Sequence, residues 1–127
     1  MIELRIKTTR RNEALNITSR ISGAIKETEG KLLCVYTPHT TCGLVINEQA
    51  DPDVMKDIIS ALDSIAPADY PYKHVEGNSD AHIKAILTGA SVSVPMESGR
   101  IKLGTWQGIF LMEFDGPRER KILLTIL

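Results

Sequence analysis

Aliphatic and polar residues alternate from the start of the chain. Ile2, Leu4 and Ile6 fall between Glu3, Arg5 and Lys7, the period of a half-buried strand. A second short strand is predicted around Glu13 to Leu15. From Asn16, a plausible N-cap, the period lengthens: Ile17, Ile21, Ala24 and Ile25 recur at helical spacing, and Gly30 suits the end of that helix. Apolar strands are predicted over Leu32 to Tyr36 and Gly43 to Asn47, joined by the polar connector Thr37-Pro38-His39-Thr40-Thr41. Asp51-Pro52 then opens a helix, with Asp at the N-cap and Pro at the first helical position. Met55, Ile58, Ile59, Leu62 and Ile65 form its apolar stripe, and Pro67 stops it.

Ala68 to Gly77 reads as a long loop, and Asn78 as the cap of a third helix over Ser79 to Thr88 that Gly89 ends. Alternation returns at Val92, Val94 and Met96. Glu97-Ser98-Gly99-Arg100 has hairpin-turn chemistry, after which Ile101 and Leu103 resume the alternation up to Gly104. Strands are predicted again over Ile109 to Phe114 and Lys121 to Leu127, around the turn Asp115-Gly116-Pro117-Arg118. The order β-β-α-β-β-α-α-β-β-β-β gives the α+β class: a single domain over residues 1–127, with a mixed, mainly antiparallel sheet packed by helices.

Composition narrows the classes of function. A chain of 127 residues fits one domain. Its net charge of -1 argues against a nucleic-acid binder held by bulk charge. No run approaches the ~18 apolar residues of a membrane span, and no secretory apolar block opens the chain, so a cytoplasmic protein is expected. The two cysteines, Cys34 and Cys42, read as buried free thiols. Charge is distributed unevenly. Residues 1–31 carry seven basic and four acidic groups, residues 32–99 three and nine, and residues 100–127 five and three. All three histidines, His39, His74 and His82, lie in the acidic middle, which points there for a cation and to the C-terminal segment for anion contacts.

Four segments carry candidate chemistry. His39-Thr40-Thr41 and Asn47-Glu48 stand at the ends of apolar strands, where they either serve a ligand or simply satisfy turns. His74 to His82 brings two imidazoles and several acids together. Imidazole nitrogen suits a transition ion, although Asp80 in the first helical turn equally suits the helix dipole. The third segment runs from Gly99 to Gln107. Its glycines permit close approach of a ligand, and Trp106 can stack on a ring, or else sit in the core or at a subunit interface. Arg118 and Arg120, in Asp115 to Arg120, are either planar phosphate partners or part of a charged hairpin turn. No Walker loop, dinucleotide fingerprint or Ser-His-Asp pattern is present.

Taken together, His39-Thr40-Thr41, Ile46-Asn47-Glu48, Asp57, His74 with Asn78-Ser79-Asp80-Ala81-His82, Gly104-Thr105-Trp106-Gln107 and Asp115-Gly116-Pro117-Arg118 resemble the YjbQ family over nearly the whole chain. That family is described as secondary thiamine-phosphate synthase enzymes. The resemblance implies a compact α+β fold, a homotrimer, and an activity joining an aminopyrimidine diphosphate to a thiazole phosphate with loss of pyrophosphate. It leaves the physiological substrate open. The chain is too short for the TIM barrel of the ordinary synthase.

On this reading His39, His74 and His82 are expected to hold a divalent ion, zinc or magnesium. Glu48 or Asp57 would complete or orient its shell. Thr40, Thr41, Asn47, Trp106, Arg118 and Arg120 would bind the small phosphorylated substrate, and Gln107 would orient it; His39, Glu48, Asp57 and Gln107 form the catalytic set. Two other readings stay open: a non-enzymatic module binding a metal or phosphometabolite, and a metal-dependent phosphate-ester hydrolase. No nucleic-acid or membrane partner is expected.

Overall fold

The computed structural model describes residues 1–127. The elements follow the predicted order: β1 (Ile2–Lys7), β2 (Glu13–Asn16), α1 (Thr18–Ala24), β3 (Leu32–Tyr36), β4 (Cys42–Glu48), α2 (Pro52–Ile65), α3 (Ser79–Thr88), β5 (Ser91–Glu97), β6 (Arg100–Ile101), β7 (Gln107–Glu113) and β8 (Glu119–Ile126). The strands divide between two sheets rather than one. The larger has the order β1-β8-β3-β5-β6 and the smaller β2-β7-β4. Every paired neighbour is antiparallel.

Side-chain parity explains the layering. Along β7, Ile109 and Leu111 join the main core, where they meet Leu33 and Val35 of β3, Ile122 and Leu124 of β8, and Ile17, Ile21 and Ile25 around α1. Phe110 and Met112 project to the opposite face. There they meet Met55 of α2 and Ala81 of α3 in a second core. The small sheet is thus buried on both faces, which is why β7 reads as a continuous apolar run.

Three local choices fix the elements that matter below. The Asp51 side chain accepts the Asp53 N–H at 3.0 Å and caps α2. Ser98 and Gly99 both have positive φ (52° and 72°), as a two-residue hairpin turn requires. Gly43 lets α3 close on β4, because a Cβ there would run into the Thr88 side chain and lie 2.9 Å from the Gly89 carbonyl oxygen. Asn78 sits at the α3 N-cap without capping it. Its amide donates instead to Asp115 Oδ2 at 2.9 Å, tying the helix start to the β7–β8 turn. Cys42 is buried, Cys34 half-buried, and both are free thiols.

Candidate functional site

At the seam where the two sheets meet, apolar parity is broken twice. Glu113 ends β7 and Arg120 lies near the start of β8, both pointing inward and both essentially inaccessible to solvent. They form an ion pair across the two sheets. Arg120 Nε donates to Glu113 Oε1 at 2.9 Å and Nη2 to Oε2. Glu113 also accepts from the Thr8 hydroxyl at 2.8 Å and from the N–H groups of Phe114 and Asp115, each at 3.0 Å. Burial pushes the Glu113 carboxyl up, but the bonds from Arg120, the Asp115 amide and Thr8 outweigh it and leave the group below its ordinary value. Arg120 Nη2 also donates to the Thr41 carbonyl at 3.1 Å and to its hydroxyl at 2.7 Å. The pair therefore holds the β3–β4 connector from below.

Above this floor is a polar cleft of ≈ 340 Å³. His39, Thr40 and Thr41 line one side, Glu76, Asn78 and His82 another, and Asp115, Arg118 and Arg120 the third. Arg118 is half exposed. Its Nε donates to the Asp115 carbonyl at 2.8 Å and its Nη2 lies 3.1 Å from Asp115 Oδ2, so one edge of the guanidinium stays free for an anion. His74 stands beside His82, ring centroids 5.7 Å apart and edge to face, with its Nε2 3.6 Å from Glu76 Oε2. Next to the cleft lies a more apolar hollow between His39, His82, Ala85 and Ile86. It has the apolar lining that suits a flat ring.

His39 is held by the strand ladder. β3 stops pairing with β8 at Tyr36, opposite Leu123. The backbone of Lys121, two residues earlier on β8, is then served by side chains of the connector. Thr37 Oγ1 donates to the Lys121 carbonyl at 3.3 Å, and the Lys121 N–H donates to His39 Nε2 at 2.9 Å. Burial, then the positive charge of Arg120, push the His39 imidazole below its ordinary value.

The predicted site residues thus fall into separate groups. His39, Thr40, Thr41, His82, Arg118 and Arg120 line one cleft, with His74 at its edge. Thr41 and Arg120 are buried, however, and their polar groups engage each other. Asn47, Glu48, Trp106 and Gln107 gather at the opposite end of β4. There Glu48 pairs with Gln107 and Asn47 with Gly108, and Gln49 N–H donates to the Trp106 carbonyl at 2.8 Å. Six strand steps put that end about 20 Å from Cys42. Asp57 is exposed on α2 and does not line the cleft.

The three imidazoles do not stand together in this structure: His74 lies beside His82, and His39 is turned to the backbone of β8. No three His, Cys, Asp or Glu side chains stand together as a ligand set, and His39 already spends Nε2 on the Lys121 amide. Sequence reasoning missed Glu113 and Thr8. The available signal was Glu113 itself, a carboxylate at the inward parity of an otherwise apolar strand.

Comparison with known proteins places this architecture. The family model described as UPF0047 protein YjbQ-like matches residues 2–127. The chain belongs to the YjbQ-like UPF0047 family. Among the curated UPF0047 proteins, one from Methanocaldococcus jannaschii is 46% identical over 129 residues, covering 100% of this chain and 94% of the relative. YugU of Bacillus subtilis is also 46% identical, covering 98% and 96%. Among solved structures, a YjbQ/UPF0047 protein of Clostridium acetobutylicum has a TM-score of 0.96 at 48% identity, covering 100% of both chains. A conserved hypothetical protein of Thermus thermophilus has a TM-score of 0.94 at 41% identity, again covering 100% of both. The α+β fold expected of the YjbQ family is therefore this chain's fold. No helix is long and apolar enough to cross a membrane.

Proposed function

We propose that this YjbQ-like protein is a small-molecule enzyme that takes a phosphorylated substrate in the His39–His82–Arg118 cleft. The reaction proposed is of thiamine-phosphate synthase type. The ring nitrogen of a thiazole phosphate attacks the exocyclic carbon of an aminopyrimidine diphosphate, a carbon–nitrogen bond forms as the carbon–oxygen bond breaks, and pyrophosphate leaves with the electron pair. The observation that carries this reading is the convergence of His39, Thr40, His82 and Arg118, from three separate stretches of chain, on one cleft without a hydrophobic lining residue.

Charge develops on the leaving diphosphate, and donors fixed before the reaction stabilise it. Arg118 presents a guanidinium edge, Thr40 a hydroxyl and His82 an imidazole. The hollow beside His39 and Ile86 would shelter the pyrimidine ring. A divalent ion in this scheme arrives bound to the diphosphate, as part of the substrate. The proposal includes a homotrimer. Placing the Glu48–Gln107 end of one subunit over the cleft of the next would let a single site use both groups, including Asn47 and Trp106.

The test is turnover by the purified protein with both substrates, following pyrophosphate release. Arg118→Ala and His82→Ala should each lower kcat/KM by about tenfold or more, the loss of one charge-assisted hydrogen bond. Mixing His82→Ala with Glu48→Gln should restore activity if two subunits share the site. Binding of pyrophosphate without turnover would make the protein a binding module. Release of orthophosphate without coupling would make it a hydrolase. Either result overturns the synthase reading.

A further inference from the structure

The imidazole of His39 has two nitrogens and only one undetermined role. Its Nε2 lies 2.9 Å from the N–H of Lys121, a backbone donor that β3 would have paired had it continued. A backbone N–H can only donate, so Nε2 must present its lone pair. In the neutral ring the proton then belongs to Nδ1. No acceptor in the chain takes that proton, and the ring lines both the polar cleft and the apolar hollow beside it.

We infer that His39 is a neutral, fixed hydrogen-bond donor, its Nδ1–H directed to an anionic oxygen of the bound ligand, and that it is neither a metal ligand nor a general base. A metal on Nε2 would strip the Lys121 amide of its partner, and a metal on Nδ1 would require an imidazolate. Protonating Nε2 would set two donors against each other and leave the part-buried Lys121 N–H without its partner. The surroundings act in the same direction. Burial disfavours the charged ring, the charges of Arg120, Lys121 and Arg118 oppose a further cation, and only Glu113 favours it. Glu113 is already committed to Arg120, Thr8 and two backbone amides.

The ligand class follows. A donor that stays neutral takes an acceptor, and with the Arg118 guanidinium lining the same cleft the matching acceptor is an ionised phosphate or diphosphate oxygen. Because the proton on Nδ1 of a neutral imidazole is very weakly acidic, the ring stabilises the charge on that oxygen without transferring the proton. This inference rests on the proposal that the cleft takes a phosphorylated substrate, but its first readout is independent of turnover.

The experiment is 15N NMR of histidine-labelled protein, alone and with inorganic pyrophosphate, and then with zinc. The expected result is a protonated Nδ1 and an unprotonated Nε2 for His39, retained below pH 6.5, the ordinary value for the ring. Pyrophosphate should shift the Nδ1 resonance and zinc should leave the proton in place. His39→Gln keeps a side-chain carbonyl for the Lys121 N–H but has no Nδ1 donor. It should fold as the parent does and bind pyrophosphate roughly tenfold more weakly.

An Nε2-protonated ring, a ring doubly protonated at pH 6.5, or displacement of the Nδ1 proton by zinc overturns the inference, whatever the turnover assay gives. A protonated Nδ1 that pyrophosphate does not disturb overturns it too. Failure of turnover alone, with these NMR results in place, would instead count against the synthase reading.

Discussion

Replacing Glu113 by Gln removes one charge from the floor of the cleft while keeping its shape. Arg120, 1% exposed, would then be a buried cation without a counter-ion, and the new amide would point donors at donors. Breaking a buried pair from one side costs about 3–5 kcal/mol, against a total stability of roughly 5–15 kcal/mol for a domain. Some of the lost acceptors have substitutes. Phe114 N–H also reaches the Thr41 carbonyl at 3.2 Å, and the Thr8 hydroxyl also donates to the Arg118 carbonyl at 3.0 Å. Those alternatives place the expected cost near the low end, about 3 kcal/mol. With a urea m-value of about 1.5 kcal/mol/M, the midpoint should fall by about 2 M.

Arg120→Met in the same background removes the stranded cation. The double variant should therefore be more stable than Glu113→Gln alone, with a coupling of about 2 kcal/mol or more. Urea melts of the four proteins, followed by far-UV circular dichroism, complete the cycle. A loss below about 1 kcal/mol for Glu113→Gln, or costs that simply add, would refute the description of this pair as a coupled buried unit.

Acid should act on the same pair. Glu113 sits below its ordinary value of 4.5 in the folded protein. Its contribution is therefore complete above about pH 4.5 and is lost as pH falls through the lower folded value. His39 has the same sign in a higher window. The folded ring resists the proton that the unfolded ring takes up below 6.5, so stability begins to decline as pH falls through that value. Urea midpoints measured against pH should show both steps, the upper one missing in His39→Gln and the lower one in Glu113→Gln. Gly43→Ala should cost about 1–3 kcal/mol in the same melts, because the new methyl must push α3 off β4. It should also weaken pyrophosphate binding measured by calorimetry, since His82 rides on α3. Asp51→Ala should cost about 1 kcal/mol by loss of the α2 cap and leave pyrophosphate binding unchanged.

Periodicity located the elements because each strand or helix meets a core on a definite face. Ile2, Leu4 and Ile6 alternate because β1 packs on one side only, and Met55 and Leu62 recur because α2 lies on the small sheet. Pairing is a long-range property and was not legible: nothing local assigns β7 to β2 and β4 while β8 goes to β1 and β3. The same limit shaped the site. Thr41 and Glu48 are close in sequence, yet β4 extends between them, so motifs that look adjacent lie at opposite ends of a sheet. His82 and Arg118 are far apart in sequence, yet share a cleft because Asn78 ties the start of α3 to Asp115. Arg120 was singled out for its charge, but only the structure shows that this charge is spent on Glu113.

β8 stands between β1 and β3 in the larger sheet, although it is the latest of the eight strands in chain order. It supplies both Arg120 of the floor and the Lys121 amide that orients His39. On the ribosome, β1 must therefore wait until residues 119–126 have been made before its neighbour emerges, an arrangement of high contact order that slows folding. Until then the His39 connector has neither its clamp nor its orienting amide. An unfinished chain would thus carry the cleft's histidines without their geometry, so the cleft is complete only once synthesis has passed β8.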